Sequence, residues 1–151
     1  MRFGYFLAVA AGCCLLTACD SSSEGGYFGE DGGMTADFIA TAGDRVFFAF
    51  NRHRLTSDAR GTLDRQVAWL LAHPDKAIVV EGHCDERGTR EYNLALGERR
   101  AHEAVSYLVS KGLSESRVSA VSYGKDRPIE IPGAGKEEFW KQNRTAIVVL
   151  R

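Results

Sequence analysis

Apolar and polar positions along this chain follow two alternating patterns, one typical of strands and one typical of helices. Four runs rich in β-branched and aromatic residues predict strands, at residues 45–50, 76–81, 117–123 and 146–150. The second run is almost uninterrupted in its apolar character, as is typical of a strand covered on both faces. Between the runs, apolar residues recur at spacings of three and four and predict helices. The alternation predicts an α/β (α+β) fold, a layered sandwich with a mixed sheet.

Capping and terminating residues indicate where the helices begin and end. Thr56 or Ser57 is a suitable N-cap for a first helix, which a proline ends. Thr89 is placed to cap a long second helix, which Gly112 ends. A short third helix is predicted at residues 136–143. The apolar stripes of the two longer helices are formed by Ala59, Leu63, Val67, Leu70 and Leu71, and by Leu94, Ala101, Val105 and Leu108.

The start of the chain has the features of an export signal and a lipid anchor. Residues 1–18 combine a basic start, an apolar run too short to span a bilayer comfortably, and small residues before Cys19. The sequence Leu-Thr-Ala-Cys at 16–19 resembles the lipobox of bacterial lipoproteins, whose cysteine becomes the acylated N-terminus; an ordinary secretory signal is the alternative. Asp20 resembles an inner-membrane retention signal, which leaves the choice of membrane open. Residues 19–34 are then a lipidated N-terminus and flexible linker, and residues 35–151 the folded domain.

Charge and cysteine content exclude two classes of protein. The formal net charge is −1, and removal of the signal takes away one further positive charge, so no basic surface supports nucleic-acid binding. Of the four cysteines, two leave with the signal and Cys19 would be acylated. Cys84 remains as a single thiol without an intramolecular partner, so no disulfide framework is expected.

The loop after the second predicted strand carries an unusual density of charge. Five ionisable side chains fall within residues 85–91, directly before the second helix. Loops at strand ends often carry function. We therefore expect a charged ligand to bind between Asp85, in this loop, and Arg100, whose side chain can point back from the helix toward the loop. A structural ion pair between Asp85 and Arg100 is the alternative interpretation.

Five motifs in order carry a family resemblance: GHCDERGT at 82–89, YN at 92–93, LGERRA at 96–101, VSYGK at 121–125 and NR at 143–144. Together they resemble the peptidoglycan-binding lipoproteins of the outer-membrane-protein-A (OmpA) C-terminal-domain superfamily, in one register from about Val46 to Leu150. The resemblance implies an OmpA-like βαβαβ(α)β two-layer sandwich with a mixed four-stranded sheet. It also implies non-covalent binding of peptidoglycan through the diaminopimelate residue of its stem peptide.

Diaminopimelate is a zwitterion, and the implied site offers both charges. Asp85 would take the ammonium group, while the guanidinium of Arg100 would hold a carboxylate by two parallel hydrogen bonds. By the resemblance, Phe50, Asn93, Leu96, Glu86 and Arg87 belong to the same site, and Asn143 and Arg144 to the family's closing motif. The chain departs from the family pattern at Asn51, where an aspartate is frequent, and at Thr145, where a second arginine is frequent. These departures remove one negative and one positive charge from the expected rim of the site.

The resemblance implies a protein of the outer membrane, lipid-anchored and facing the periplasm, which docks the periplasmic propeller protein of the Tol system. Another wall-anchoring member of the superfamily, of stator or porin type, and an envelope hydrolase are the alternatives. Nothing in the spacing of Cys84 and the histidines supports a catalytic triad, so we expect no enzyme and no cofactor. His83, Cys84 and Asp85 are consecutive and point in different directions, which disfavours a metal site. His83 is expected to be a hydrogen-bonded residue at the strand end, and Trp69 and Trp140 are expected in the core.

Overall fold

The computed structural model describes residues 32–151, so the predicted signal, Cys19 and most of the predicted linker lie outside the described residues. The elements are α1 (Gly32–Ala42), β1 (Arg45–Phe47), α2 (Ser57–Ala72), β2 (Ile78–His83), α3 (Arg90–Ser110), β3 (Val118–Gly124), α4 (Lys136–Asn143) and β4 (Thr145–Leu150). One turn of 3-10 helix, Glu115–Arg117, precedes β3. No helix of residues 32–151 is both long enough and apolar enough to cross a bilayer.

The strands form one mixed four-stranded sheet, as predicted, and their order in the sheet is β1-β4-β2-β3. β4 runs antiparallel to both of its neighbours, whereas β2 and β3 are parallel. In β2, Ile78 and Val80 are buried against the helices, while Val79 and Glu81 are half-buried on the opposite face. The apolar run of β2 therefore does not mark a strand covered on both faces. The helices pack on the face of the sheet that carries Ile78 and Val80, which gives two layers.

Helix α1 is not predicted by the sequence pattern, because glycines occupy its first turn and weaken the helical signal. Tertiary contacts hold it in place. Phe38 is buried and meets the ring of Trp69 edge to face, with 5.0 Å between the ring centroids. The indole of Trp69 also donates a hydrogen bond of 2.7 Å to Asp37. Trp69 lies in the core as predicted, and α1 adds a third helix to the helical layer.

Helix α3 lies unusually close to β2 because both elements carry glycine where they meet. A Cβ atom built on Gly82 would overlap the carbonyl oxygen of Gly97 in α3, and one built on Gly97 would overlap the hydroxyl of Ser122 in β3. Only glycine fits such an approach of two backbones. Thr89 caps α3 as predicted, because its hydroxyl accepts a hydrogen bond of 3.2 Å from the backbone of Tyr92. The start of α3 is thereby fixed over the end of β2.

The two ends of β2 lie in different surroundings. The first turn of α1, at Met34 and Thr35, lies beside the residues that precede β2 and follow β4, among them Lys76 and Arg151. β2 runs from that end over six residues to His83, about 20 Å at the usual rise of a strand. The charged loop that follows His83 is therefore at the opposite end of the sheet from the start of α1.

Candidate functional site

A pocket of about 140 Å³ opens at the end of β2, between the turn after β1, the loop after β2 and the first turns of α3. This volume is well above the roughly 10–15 Å³ that one water molecule needs. Its lining residues are Phe50, Asn51, Cys84, Asp85, Arg87, Gly88, Tyr92, Asn93, Leu96 and Arg100. All the residues that the sequence assigns to the site are among them except Glu86. The expected opening bordered by Asp85 and Arg100 is present.

Glu86 is placed differently from the prediction. Its carboxylate accepts a hydrogen bond of 3.0 Å from the indole of Trp140 and lies 3.9 Å from the ammonium group of Lys136. Asp85 and Arg87 line the pocket, whereas the contacts of Glu86 tether the loop to α4.

Arg100 is the largest of the fully buried side chains, with 1% of its surface exposed. Its guanidinium donates hydrogen bonds to the backbone carbonyls of Arg52 (2.9 Å), His83 (2.7 Å) and Ala49 (3.3 Å). A further N–H lies 3.4 Å from the sulfur of Cys84. Burial lowers the pKa of Arg100 from its ordinary value, but a guanidinium remains charged in proteins. The predicted pair of parallel hydrogen bonds to a ligand carboxylate is not available here, because backbone carbonyls occupy most of the donors.

Asp85 is also buried, and its partners are other arginines rather than Arg100. One carboxylate oxygen accepts a hydrogen bond of 2.5 Å from the guanidinium of Arg87, and the other accepts one of 3.2 Å from the backbone N–H of Arg87. The guanidinium of Arg144 lies 3.5 Å away. Burial by itself would raise the pKa of Asp85, but the hydrogen bonds from Arg87, with help from Arg144, outweigh it and lower the pKa. Asp85 is therefore ionised at neutral pH and already paired.

The guanidinium of Arg87 packs against two aromatic rings. Its central carbon is 4.0 Å from the ring centroid of Phe50 and 4.1 Å from that of Trp140. The side chain of Arg87 is 32% exposed and that of Asp85 only 5% exposed. Arg87 therefore shields Asp85 from solvent. Trp140 is not a core residue, contrary to the prediction, because it packs on Arg87 at the surface. We call Phe50, Arg87 and Trp140 the aromatic clamp.

The first turn of α3 supplies the opposite wall of the pocket. The side-chain amide of Asn93 donates hydrogen bonds to the carbonyls of Arg87 (2.8 Å) and Thr89 (3.0 Å), so it holds the charged loop in shape. The hydroxyl of Tyr92 donates a hydrogen bond to the side-chain oxygen of Asn51, which has a positive φ of 54°. The sequence prediction did not include Tyr92 in the site. Its position directly before Asn93, at the start of a helix, is the signal that could have found it.

Cys84 and His83 serve the structure of the pocket rather than its chemistry. Cys84 is buried, and its thiol donates to the carbonyl of Asn93 at 3.3 Å. Burial raises the pKa of this thiol in spite of the nearby charge of Arg100, so it stays protonated. His83 ends β2 with one ring nitrogen 3.2 Å from the carbonyl of Arg127, and burial lowers its pKa although Glu81 opposes the shift. Within residues 32–151, no group of three or more metal-ligating side chains comes together.

The closing motif fastens β4 and its neighbouring loops. The side chain of Asn143 exchanges hydrogen bonds with both backbone groups of Ile129, at 2.7 and 3.1 Å. Arg144 reaches from the end of α4 to Asp85 and to the carbonyl of Phe48. Thr145 is buried and donates a hydrogen bond of 2.7 Å to the carbonyl of Val46. The departure at Thr145 therefore lies inside the fold, not at the rim of the pocket, whereas Asn51 does line the pocket.

The fold and the site together define a class: two-layer α+β domains with a charged binding pocket at the end of a central strand. The chain belongs to the OmpA family, whose sequence profile matches residues 47–142. It is 45% identical over 143 residues to a protein of Mesorhizobium japonicum named peptidoglycan-associated lipoprotein, across 93% of this chain and 84% of that one. These matches confirm the predicted family.

Solved structures confirm the fold. The crystal structure of the peptidoglycan-associated lipoprotein from Burkholderia pseudomallei matches with a TM-score of 0.67 and 35% sequence identity, over 72% of this chain and 90% of that one. The periplasmic domain of Helicobacter pylori MotB matches with a TM-score of 0.60 at 21% identity, over 70% of this chain and 67% of that one. The likeness to MotB is at the level of the fold alone.

Proposed function

We propose that this protein binds peptidoglycan without cleaving it and, as a lipid-anchored protein, tethers the outer membrane to the cell wall. The observation that carries the proposal is the pocket itself, in which Asp85 and Arg100 line one small opening. The chain that carries this pocket is 45% identical to a protein named peptidoglycan-associated lipoprotein. The proposed ligand is the diaminopimelate residue of the stem peptide.

The charges of the pocket suit a small zwitterion. The negative charge of Asp85, although paired with Arg87 in this structure, suits an ammonium group, and the positive charges of Arg100 and Arg87 suit carboxylates. The wall presents the same stem peptide many times, so a weak single contact is strengthened by multivalency and by confinement near the membrane.

The wider setting follows from the family. We propose that Cys19 carries the lipid, that the outer membrane holds it, and that the domain faces the periplasm and docks the Tol propeller protein. Relatives named peptidoglycan-associated lipoprotein support both the lipid anchor and the wall ligand. A stator-type function would rest on the likeness to MotB, which at 21% identity supports a common fold only.

Exchanging Asp85 for asparagine tests the proposed ligand. Asp85→Asn keeps the shape of the side chain but removes its charge, and we expect retention on purified diaminopimelate-type sacculi to fall at least about tenfold, as for the loss of a buried charged partner. The measurement is co-sedimentation with sacculi over a range of protein concentrations. Mass spectrometry of the same samples checks that no muropeptides are released, which distinguishes binding from hydrolysis.

Asp75→Asn is the matched control, because Asp75 is exposed and lies before β2, far from the pocket. Its retention is expected to equal that of the unmodified chain. Circular dichroism of both variants shows whether the fold persists. Equal retention of Asp85→Asn and the unmodified chain would refute diaminopimelate binding at this pocket.

The anchor is tested separately at Cys19. Cys19→Ser removes the thiol that lipidation requires, and we expect the protein to move from the membrane fraction to the soluble periplasmic fraction. One acyl chain gives only weak and reversible membrane binding, whereas several chains on one residue anchor a protein stably. Loss of the lipid should therefore release the protein from the membrane. Cell fractionation followed by immunoblotting measures the distribution, with Cys84→Ser as the control. Unchanged membrane association of Cys19→Ser would exclude the lipid anchor.

A further inference from the structure

One face of the sheet carries apolar side chains that do not belong to the core. Val80 in β2 and Val148 in β4 lie opposite each other and are buried against the helices. Because successive residues of a strand point to opposite faces, the residues on either side of them point away from the helices. None of these is part of the hydrophobic core of residues 32–151. The apolar side chains of this surface, which we call the outer face, are Phe47, Val79, Val121, Ile147 and Val149.

The outer face is more apolar than a solvated sheet face. A sheet with one face in water normally alternates apolar and polar residues along each strand. In β4, however, Ile147 and Val149 both point to the outer face, and Val79 in β2 lies directly beside Val149. These side chains are half-buried, and that of Phe47 in β1 is 36% exposed. A contiguous apolar patch of this kind marks an interaction surface.

The chain ahead of α1 enters the domain at one end of the outer face. The first turn of α1, at Met34, lies beside Leu150, which directly follows Val149. Residues 27 and 28 precede Gly32 by five and four positions, and that length of chain spans at most about 13–18 Å. This span reaches Val149 and its neighbour on β2. It falls short of the charged loop, which lies about 20 Å further along β2.

The composition of this segment suits the outer face. Tyr27 and Phe28 are its large apolar side chains, with glycines on both sides, and aromatic side chains of their size bury roughly 150–250 Å² each when they are covered. Two carboxylates follow at residues 30–31. The cations Lys76 and Arg151 line the small cavity at the start of α1, so opposite charges meet where the segment joins the domain.

We propose that Tyr27 and Phe28 dock on the outer face of the same molecule, beside Val79 and Val149. A short connection gives an intramolecular contact a high effective concentration, so a small apolar contact is sufficient. Docking leaves residues 19–26, rather than 19–31, to span the distance between Cys19 and the domain. The contact therefore shortens the tether, and its release supplies additional length.

Methyl NMR spectra of the full chain test the docking, because an aromatic ring shifts the signals of the methyl groups that it covers. In the double variant Tyr27→Ser/Phe28→Ser, the methyl signals of Val79 and Val149 are expected to move. Those of Val80, on the helical face, should keep their positions and show that the fold persists. We also expect a melting temperature lower by on the order of 4 °C.

A double-mutant cycle between Phe28→Ser and Val149→Thr tests the contact itself. If the two side chains touch, the combined variant loses less stability than the sum of the single losses. Leu71→Gln is the matched control, because Leu71 is an exposed apolar residue of α2, and its effect should add to that of Phe28→Ser. Unmoved methyl signals together with an additive cycle would overturn the docking. Methyl shifts that vanish on dilution would assign the contact to a second copy and overturn it as an intramolecular contact.

Discussion

Gly82→Ala is expected to abolish stable folding. The added methyl group would occupy the space of the Gly97 carbonyl oxygen, and neither backbone can withdraw, because α3 is packed along both β2 and β3. Forced overlap of two backbones is more costly than ordinary overpacking of side chains. We expect a loss of more than about 4 kcal/mol, which is a large part of the roughly 5–15 kcal/mol by which a typical domain is stable.

Thermal unfolding followed by circular dichroism measures this effect. Gly61→Ala, within α2, is a control for which the opposite change in stability is expected, because a methyl group there meets nothing within 4 Å. It should raise the stability by roughly 0.5–1 kcal/mol through the better helix propensity of alanine. A melting temperature of Gly82→Ala close to that of the unmodified protein would show that α3 and β2 are not in the contact described.

Arg100→Met is expected to lower stability and ligand binding together. Methionine is similar in length and apolar, but it leaves the carbonyls of Ala49, Arg52 and His83 without the donor they share. Buried acceptors without partners cost about 1–3 kcal/mol each before relaxation. We expect a net loss of about 3 kcal/mol and a melting temperature lower by on the order of 10 °C.

Arg99→Met separates this effect from the general loss of a positive charge. Arg99 is the exposed neighbour on the same helix, and its replacement should change the stability by less than about 0.5 kcal/mol. Retention on sacculi, measured below the melting temperature of each variant, should fall for Arg100→Met and stay unchanged for Arg99→Met. If Arg100→Met unfolds at the same temperature as Arg99→Met, the carbonyl contacts of Arg100 do not stabilise the fold.

The sequence predicts the fold well wherever local signals and tertiary contacts agree. Helix α4 has the predicted bounds, and the N-cap of α3 is the predicted threonine. The first strand ends earlier than predicted, at Phe47, because the next residues bond elsewhere. The backbone N–H of Phe48 donates to the carbonyl of Arg144 at 2.8 Å, and the carbonyl of Ala49 turns to Arg100. An apolar run shows that residues can form a strand, but not which partners they find.

Most members of the candidate site were predicted, with Glu86 and Tyr92 as the exceptions, but the pairing of their charges was not. The sequence places Asp85 at a strand end and Arg100 two turns into a helix, and both line one pocket. Three arginines compete for the same carboxylate, however, and the spacing of residues does not rank them. The aromatic clamp selects Arg87, and it depends on Phe50 and Trp140, which come from distant parts of the chain. Only the three-dimensional arrangement shows that Asp85 is already neutralised.

The separation of α1 from the pocket determines how the domain would carry a mechanical load. A membrane anchor ahead of Gly32 would pull at the start of α1, and a wall ligand beside Asp85 would pull at the far end of β2. Tension would then act parallel to β2 and β4. The hydrogen bonds between the two strands would share this load, rather than break one after another. The docking of α1 through Phe38 and Asp37 would bear the strain first. With an anchor and a wall ligand at these two ends, the domain would connect the membrane and the wall in series.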